Sequence, residues 1–210
     1  MDKPQSTKEY ADFLKQMYDA PTEQPLEIVL PVMKCLSVGG QSAPESEAFQ
    51  TAVQELYGVA FGIKMGLAHG KLMQPAGYFD YKVPAMDGLW WQTDGGFDMT
   101  KRGEWFWQIM LMVPDFVTAE LVMQAKDQAK TKHPEVAYEK IELVDFDEGR
   151  AVQIMHIGPY ATEPDTIAKL DAYVSEHGLK INGKHHEIYL GDPRRSAPDK
   201  LKTILRWPVK

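Results

Sequence analysis

Residues 151–174, AVQIMHIGPYATEPDTIAKLDAYV, place a strand pattern directly before a helix pattern. Residues 151–157 show the alternation that is typical of a strand, and Gly158 ends this run. Residues 162–165, Thr-Glu-Pro-Asp, then favour the start of a helix. The inward face of that helix would carry Ile167, Leu170 and Val174. The stretch therefore predicts a strand with a helix packed on it.

The same pattern occurs about 120 residues earlier in the chain. Residues 26–38 form a β-type run, and Ser42-Ala43-Pro44-Glu45 has the spacing of a capping box, which satisfies the first amides of a helix. The inward face of this helix would carry Phe49, Ala52, Val53, Leu56 and Ala60. The glycine pairs Gly39-Gly40 and Gly95-Gly96 lack the spacing of a phosphate-binding loop, so we predict turns at both.

Two strand-like runs follow each helix. They are residues 78–83 with 89–92 in the first half, and residues 187–190 with 202–206 in the second. A strand–helix–strand–strand unit is thus used twice. We therefore predict an α+β fold of duplicated half-domains with pseudo-twofold symmetry, in which helices cover one face of mainly antiparallel sheets. The uncovered sheet faces would form a central aromatic ligand cleft.

The remaining segments fit around these two units. Residues 1–25 are predicted as an N-terminal extension with a short helix, and residues 26–210 as the domain, whose half-repeats are about 26–115 and 135–210. Residues 104–113 predict a long strand, and a crossing helix then joins the halves before a strand at 141–146. The apolar positions of the first and the crossing helix are, in chain order, Tyr10, Phe13, Leu14 and Met17, then Val117, Leu121, Val122, Ala125 and Ala129.

Composition excludes several classes of protein. With 210 residues, 44% apolar and 25% charged, the chain is typical of a globular domain with a sizeable core. The formal charge of −7 argues against a direct nucleic-acid partner, because phosphate contacts need a basic face. Cys35 is the single cysteine, which fits a cytoplasmic location, and no apolar stretch is long enough to predict a membrane span.

The strand His185-His186-Glu187-Ile188-Tyr189-Leu190 is the richest chemical signal. Alternation places His185, Glu187 and Tyr189 on one face of the strand. If Ile188 and Leu190 on the other face pack under the helix, Glu187 and Tyr189 face the cleft. Desolvation among aromatic rings raises the pKa of a carboxylate, so Glu187 could hold a proton, act as a base or pair with a cationic ligand. The alternative is that Glu187 only forms an ordinary ion pair with a surface cation on an exposed strand. Neighbouring strand residues point in opposite directions, so we predict no metal site and no cofactor here.

Aromatic residues form the second signal. A single aromatic ring most often serves a core, but this set exceeds what one core needs and predicts a pocket for a large, flat or cationic molecule. Tyr160 precedes the second helix and could either pack at the helix entrance or donate its phenolic proton to a ligand oxygen. On a strand Trp90 and Trp91 face opposite ways, and His156 is expected to be satisfied in the core. The candidate ligand-binding residues from this reasoning are Trp90, Trp91, Trp105, Trp107, Tyr160, His185 and Trp207.

Five stretches together carry a family resemblance. They are VPAMDGLWW (83–91), PDFVT (114–118), QIMHIGPY (153–160), HHEIYL (185–190) with DPRR (192–195), and KTILR (202–206). From about Leu26 to its end, the chain resembles the GyrI-like small-molecule-binding family, which also supplies the effector-binding domain of BmrR-type multidrug regulators. The resemblance implies a duplicated fold around an aromatic cleft whose central glutamate falls on Glu187.

The motifs GLWW and HHEIYL are similar to those of a stand-alone branch that includes cyclopropanoid hydrolases. This resemblance implies that water opens a cyclopropane ring fused to a dienone, with Glu187 activating the water and Tyr160 or Tyr189 donating to the developing oxyanion. It adds Asp87 to the ligand-binding candidates, at a position where the branch is expected to have glutamate. The alternative is a non-catalytic protein that sequesters or senses lipophilic cations, with Glu187 as counter-charge and cation–π contacts from the rings.

Overall fold

One open sheet of antiparallel strands organises the computed structural model, which describes residues 3–93, 97–98, 100–134 and 136–210. The strands are β1 (Leu26–Val29), β2 (Met33–Gln41), β3 (Met86–Trp91), β4 (Phe106–Met112), β5 (Glu142–Phe146), β6 (Arg150–Ile157), β7 (His185–Tyr189) and β8 (Lys202–Pro208). The helices are α1 (Thr7–Met17), α2 (Glu47–Ala68), α3 (Ala119–Lys132) and α4 (Glu163–Glu176). The predicted α+β class is confirmed.

The strand order shows the duplication. Across the sheet it is β1-β6-β8-β7-β3-β4-β2-β5. The two units are β2-α2-β3-β4 and β6-α4-β7-β8, and the strand order of one mirrors that of the other about the boundary between β7 and β3. A pseudo-twofold axis therefore passes between these two central strands, which pair antiparallel and join the units into one sheet.

The single strand predicted at residues 26–38 is wrong, because this run forms two strands, of which β1 lies at one edge of the sheet and β2 lies next to the opposite edge. Pro31 lies between them and has no amide N–H to continue a ladder. β1 then pairs with β6 of the second unit, while β2 stays in the first. Gly39-Gly40 continues β2 instead of turning, because the Trp107 ring lies against it: a Cβ on Gly40 would come within 2.3 Å of that ring. Gly95-Gly96 lies outside the described residues.

Two further local predictions are wrong. Residues 78–83 form no strand, because their rings pack on α1 instead: the ring of Tyr81 lies 5.8 Å from that of Tyr10. The strands after α2 are β3 and β4. The hydroxyl of Ser46, not that of Ser42, caps α2 by accepting from the amide of Phe49 at 3.2 Å.

The helices divide the two faces of the sheet. α2 packs on β2 and β4, α4 packs on β6 and β8, and α3 packs on α2. The central strands β3 and β7 are left between α2 and α4. On the opposite face α1 buries Tyr10, Phe13 and Met17 in a cluster with strand residues such as Met110 and Met112. The prediction of a cleft on the helix-free face is therefore corrected: α1 covers that face, and the space between helices lies on the other.

Within the described ranges, no helix has the length and apolar character needed to cross a membrane.

Candidate functional site

The central strand pair brings the predicted acid and its neighbours together. In the β3–β7 ladder Gly88 lies opposite Glu187, and Trp90 lies opposite His185. Side chains at alternate positions share a face, so Glu187, His185 and Tyr189 project on the side that carries α2 and α4. We call the space over these strands, bounded by the two helices, the central cleft.

A chain of hydrogen bonds fixes the carboxylate of Glu187. The Tyr189 hydroxyl donates to Glu187 Oε2 at 2.8 Å, and the Trp90 indole N–H donates to the Tyr189 hydroxyl at 2.8 Å. Glu187 is only 6% exposed. Gly88 leaves the room that this chain needs, because a Cβ there would lie 2.9 Å from the Tyr189 hydroxyl and 3.0 Å from the Trp90 indole nitrogen.

His185 lies beside the acid in an aromatic environment. Its Nε2 is 3.3 Å from Glu187 Oε1, but neither ring nitrogen makes a hydrogen bond of good geometry within the described part of the chain. The imidazole is fully buried, stacks on Phe97 with ring centroids 4.1 Å apart, and meets Trp207 edge-on at 4.8 Å. The predicted residues His185 and Trp207 are therefore neighbours of Glu187.

Further rings complete the lining. Trp105 packs on Trp90 with centroids 5.4 Å apart, and its indole N–H donates to the Asp98 carbonyl at 2.9 Å. Tyr160 lies at the entrance of α4, half-buried and edge-on to Tyr189 at 6.1 Å. The structure thus brings six predicted residues to the same cleft as Glu187: Trp90, Trp105, Tyr160, His185, Tyr189 and Trp207.

Both tyrosines near the acid keep their protons at neutral pH. Burial, and then the charge of Glu187, raises the pKa of Tyr160 to about 12. The same two causes, in the same order, raise the pKa of Tyr189 well above its ordinary value. The Tyr189 hydroxyl donates its hydrogen bond to Glu187, whereas Tyr160 makes no such bond to this acid in the described structure.

A second acid, Glu163, was missed by the sequence reasoning. It is the first residue of α4 and is 1% exposed. The Thr203 hydroxyl partly offsets the rise in the pKa of Glu163 that is described next, and the Oε1 atom of Glu163 has no hydrogen-bond partner among the described residues. Burial and then the charge of Glu187 raise the pKa of Glu163 to about 9. The signal was present in the sequence, since Glu163 precedes Ile167, Leu170 and Val174 at helical spacing on the inward face.

Three predicted ligand-binding residues lie away from this cleft. Trp107 is on the same face but packs edge-on against Phe49 of α2, at 5.2 Å, and its indole N–H donates to Ser42. Trp91 is on the opposite face, where the Lys184 ammonium nitrogen lies 3.4 Å from its ring centroid. Asp87 also faces the opposite side, because it alternates with Gly88.

Asp87 belongs to a buried polar cluster behind the cleft, which we call the back-face charge network. It consists of Asp87, Glu148, Gln153, His186 and Arg206. His186 Nε2 lies 3.0 Å from Asp87 Oδ1, and its Nδ1 lies 2.7 Å from Glu148 Oε1. Arg206 donates to Glu148 at 2.9 Å and to Gln153 at 2.7 Å. Positive and negative groups are thus paired throughout, as buried charges require.

His156 is satisfied in the core, as expected: its ring nitrogens lie 2.8 Å from the Thr166 hydroxyl and 3.3 Å from the Pro159 carbonyl oxygen. Within the described ranges, no group of three or more His, Cys, Asp or Glu side chains could hold a metal ion.

The central cleft has unused hydrogen-bonding capacity. Glu163 Oε1 and both nitrogens of His185 are buried without partners in the described chain. Buried polar atoms in folded proteins are nearly always hydrogen-bonded, so these atoms indicate a position for water or for a polar group of a ligand. The surrounding rings provide stacking surface. The arrangement suits an aromatic molecule that presents a polar or cationic centre to two acids.

Comparison with known proteins relates the chain to one family. Residues 105–210 match the model of the GyrI-like small molecule binding domain. No curated protein sequence matches the chain. The crystal structure of an uncharacterized conserved protein from Listeria innocua shares 41% identity, with 96% of this chain and 98% of that chain covered and a TM-score of 0.87.

Two other solved structures extend the comparison. A protein from Listeria innocua described as a hydrolase shares 39% identity over 100% of both chains, with a TM-score of 0.86. The C-terminal domain of EcmrR shares 14% identity, with 89% of this chain and 97% of that chain covered and a TM-score of 0.58. The last likeness is one of fold alone.

Proposed function

The chain belongs to the GyrI-like small-molecule-binding family, and from this premise we propose that it binds lipophilic aromatic molecules in the central cleft and hydrolyses cyclopropane-bearing genotoxins. The observation that carries the proposal is the Trp90–Tyr189–Glu187 hydrogen-bond chain, which holds a buried carboxylate in a fixed orientation beneath aromatic rings. A preoriented carboxylate at the base of an apolar cleft is suited to act as a general base on water.

The proposed reaction adds one water molecule. The water oxygen attacks the strained CH₂ of a cyclopropane fused to a dienone while Glu187 accepts a proton from the water. The cyclopropane C–C bond breaks, and its electron pair passes through the dienone to the carbonyl oxygen, which becomes a phenolate. Tyr160 donates a hydrogen bond to this oxygen, since the hydroxyl of Tyr189 already serves Glu187. The proton that Glu187 took from water then passes to the phenolate, which leaves as the phenol. A base and an oxyanion donor contribute about 10²–10⁴-fold and about 10²–10³-fold in rate, respectively.

The similarity to the Listeria innocua protein described as a hydrolase supports a hydrolytic reaction, because it extends over both entire chains at 39% identity. Ring opening removes the electrophilic carbon that alkylates DNA, so the proposed role is detoxification in the cytoplasm. No direct contact with nucleic acid is part of this role.

Sequestration of a cationic drug without reaction is the second candidate function. One observation favours it: Glu163 and Glu187 place two acids in the same ring-lined cleft, which suits a cation. Under this alternative the ligand stays intact. Cation–π contacts would then contribute about 0.5–2 kcal/mol for each ring.

Mass spectrometry separates the two functions. The protein is incubated with a cyclopropane-bearing alkylator, and a gain of one water in the compound is expected. Glu187→Gln should bind the compound, measured by quenching of tryptophan fluorescence, while turnover falls by about 10²–10⁴-fold. Glu176→Gln, at the exposed end of α4, is the matched control and should retain full turnover. Tight quenching with an intact compound would overturn the hydrolase proposal in favour of the binder.

A further inference from the structure

Two buried acids lie at the central cleft, and within the described ranges no buried Lys or Arg side chain pairs with either of them. Glu163 and Glu187 are 1% and 6% exposed. Arg102 acts on Glu163, but its side chain is 49% exposed and already pairs with Glu45 at 3.0 Å. A neighbouring carboxylate and a low-dielectric environment both disfavour the ionised form of a buried acid such as Glu163 unless a partner of opposite charge is present.

The groups that face this pair come from four parts of the fold. His185 and Tyr189 lie on β7, Tyr160 lies at the entrance of α4, Thr203 lies on β8, and Arg102 lies before β4. The two tyrosines are neutral hydrogen-bond donors, and the Thr203 hydroxyl lowers the pKa of Glu163. Donors of this kind stabilise one negative charge in the cleft. They do not supply the positive charge that a second carboxylate would need.

The unpartnered Oε1 of Glu163 is the independent observation that points to a ligand. A buried carboxyl oxygen without a hydrogen bond is destabilising, and a bound positive or donor group would remove that cost. The ring of Trp90 reaches Glu187 through the Tyr189 hydroxyl, and the ring of Trp207 meets His185, so aromatic side chains that favour a flat cation lie beside the acids.

We propose that Glu163 is a second ligand-facing acid that holds a proton in the free protein, and that the cleft takes up aromatic cations in exchange for this proton. The inference rests on ligand binding in the central cleft as proposed above, but not on the hydrolysis. It makes Glu163 a specificity-determining residue. A cation drives its carboxyl group to ionise, whereas a neutral ligand of the same shape leaves the proton in place.

Calorimetry with two matched ligands tests this exchange. The probes are 10-methylacridinium, a fixed cation, and acridine, its uncharged analogue above pH 7. Titrations in phosphate and in Tris, whose ionisation enthalpies differ, give the number of protons released. We expect about one proton released with the cation and none with acridine. Affinity for the cation should accordingly rise by about tenfold per pH unit between pH 7 and 8.5, and affinity for acridine should not change.

Variants locate the proton. Glu163→Gln should abolish proton release and flatten the pH dependence, while Glu176→Gln on the same helix should behave as the wild type. A proton from any other group would still be released by Glu163→Gln, so equal release by this variant and by the wild type overturns the proposal. Binding of the cation by the wild type without proton release also overturns it, yet leaves the proposed function intact. Failure of both ligands to bind contradicts the binding cleft itself.

Infrared difference spectroscopy of the wild-type protein gives a check that requires no variant. The carbonyl band of a protonated carboxylic acid should be present at pH 7 and should disappear when 10-methylacridinium binds. A band that persists in the complex would contradict the exchange.

Discussion

Glu148→Gln is expected to destabilise the fold by about 3–5 kcal/mol, although it only replaces one carboxylate oxygen by an amide NH₂ group. The Glu148 carboxylate lies 2.7 Å from His186 and 2.9 Å from Arg206, and all three side chains are buried. Removing one partner from a buried ion pair leaves the other charge uncompensated, which typically costs this amount.

The pKa shifts of His186 and Glu148 give a second route to the size of this loss in unfolding free energy. Burial alone would lower the pKa of His186, but the charge of Glu148 and hydrogen bonds to Asp87 and Glu148 outweigh it and raise the pKa from 6.5 to about 9. At 1.36 kcal/mol per unit, this difference corresponds to about 3 kcal/mol. Burial alone would raise the pKa of Glu148, but the charges of His186 and Arg206 lower it from 4.5 to about 2. Both shifts include the same attraction, so their energies do not add.

The sign of the pH dependence follows from these directions. The folded protein holds the His186 proton more tightly than the unfolded chain, so this stability is complete below pH 6.5 and is lost as the pH rises through about 9. The Glu148 contribution is complete above pH 4.5 and is lost as the pH falls through about 2. Glu148→Gln should therefore lose much of the decline in stability that the wild type shows between pH 7 and 9.

Urea unfolding, followed by tryptophan fluorescence at pH 6, 7 and 9, measures these effects. The control is Glu27→Gln, which removes a partly exposed pair with Arg150 at 2.6 Å and should cost no more than about 1 kcal/mol. Common contributions, such as the buried Cys35 thiol, cancel between wild type and variant. A loss for Glu148→Gln as small as that of the control would refute the reasoning, as would an unchanged decline between pH 7 and 9.

Three further substitutions test the placement of individual residues. Gly88→Ala should cost about 1–3 kcal/mol of unfolding free energy and weaken tryptophan quenching by ligand, because the added Cβ would lie 2.9 Å from the Tyr189 hydroxyl. The control is Gly62→Ala, whose Cβ would have contacts no closer than 3.7 Å and which should not destabilise the fold. Asp87→Asn should lower stability by about 1–3 kcal/mol in urea and leave ligand affinity within about twofold, and a selective loss of affinity would place Asp87 in the cleft instead. Tyr160→Phe should reduce turnover of a cyclopropanoid by about 10²–10³-fold with little change in binding, and full turnover would exclude it as the oxyanion donor.

Strand alternation predicted much of the site. Because successive side chains on a strand must point to opposite faces, His185, Glu187 and Tyr189 had to share one face, and Trp90 had to face away from Trp91. The structure confirms both relations. Alternation gives only relative sides, however, so the sequence did not reveal that the cleft lies on the face that carries α2 and α4. That choice depends on α1, which covers the other face through contacts far apart in the chain.

The residues that were misplaced or missed depend on non-local packing. Trp107 shares the face of Trp90 on the neighbouring strand, but α2 lies over it and Gly40 accommodates its ring, so it serves the core. Glu163 lies on the inward face of α4 at the same spacing as apolar residues. An acid at such a position is a signal of a site, and only the structure shows that Glu187 is its neighbour.

The role of Glu187 as the base that activates water is tested most directly by one turnover in water labelled with oxygen-18. Excess enzyme is mixed with a cyclopropane-bearing alkylator, and the ring-opened product is analysed by mass spectrometry. If the carboxylate takes a proton from water, the first product carries the heavy isotope. If the carboxylate instead attacks the ring carbon and the resulting ester is hydrolysed at its acyl carbon, the product is unlabelled and the isotope appears in Glu187, which would contradict the account.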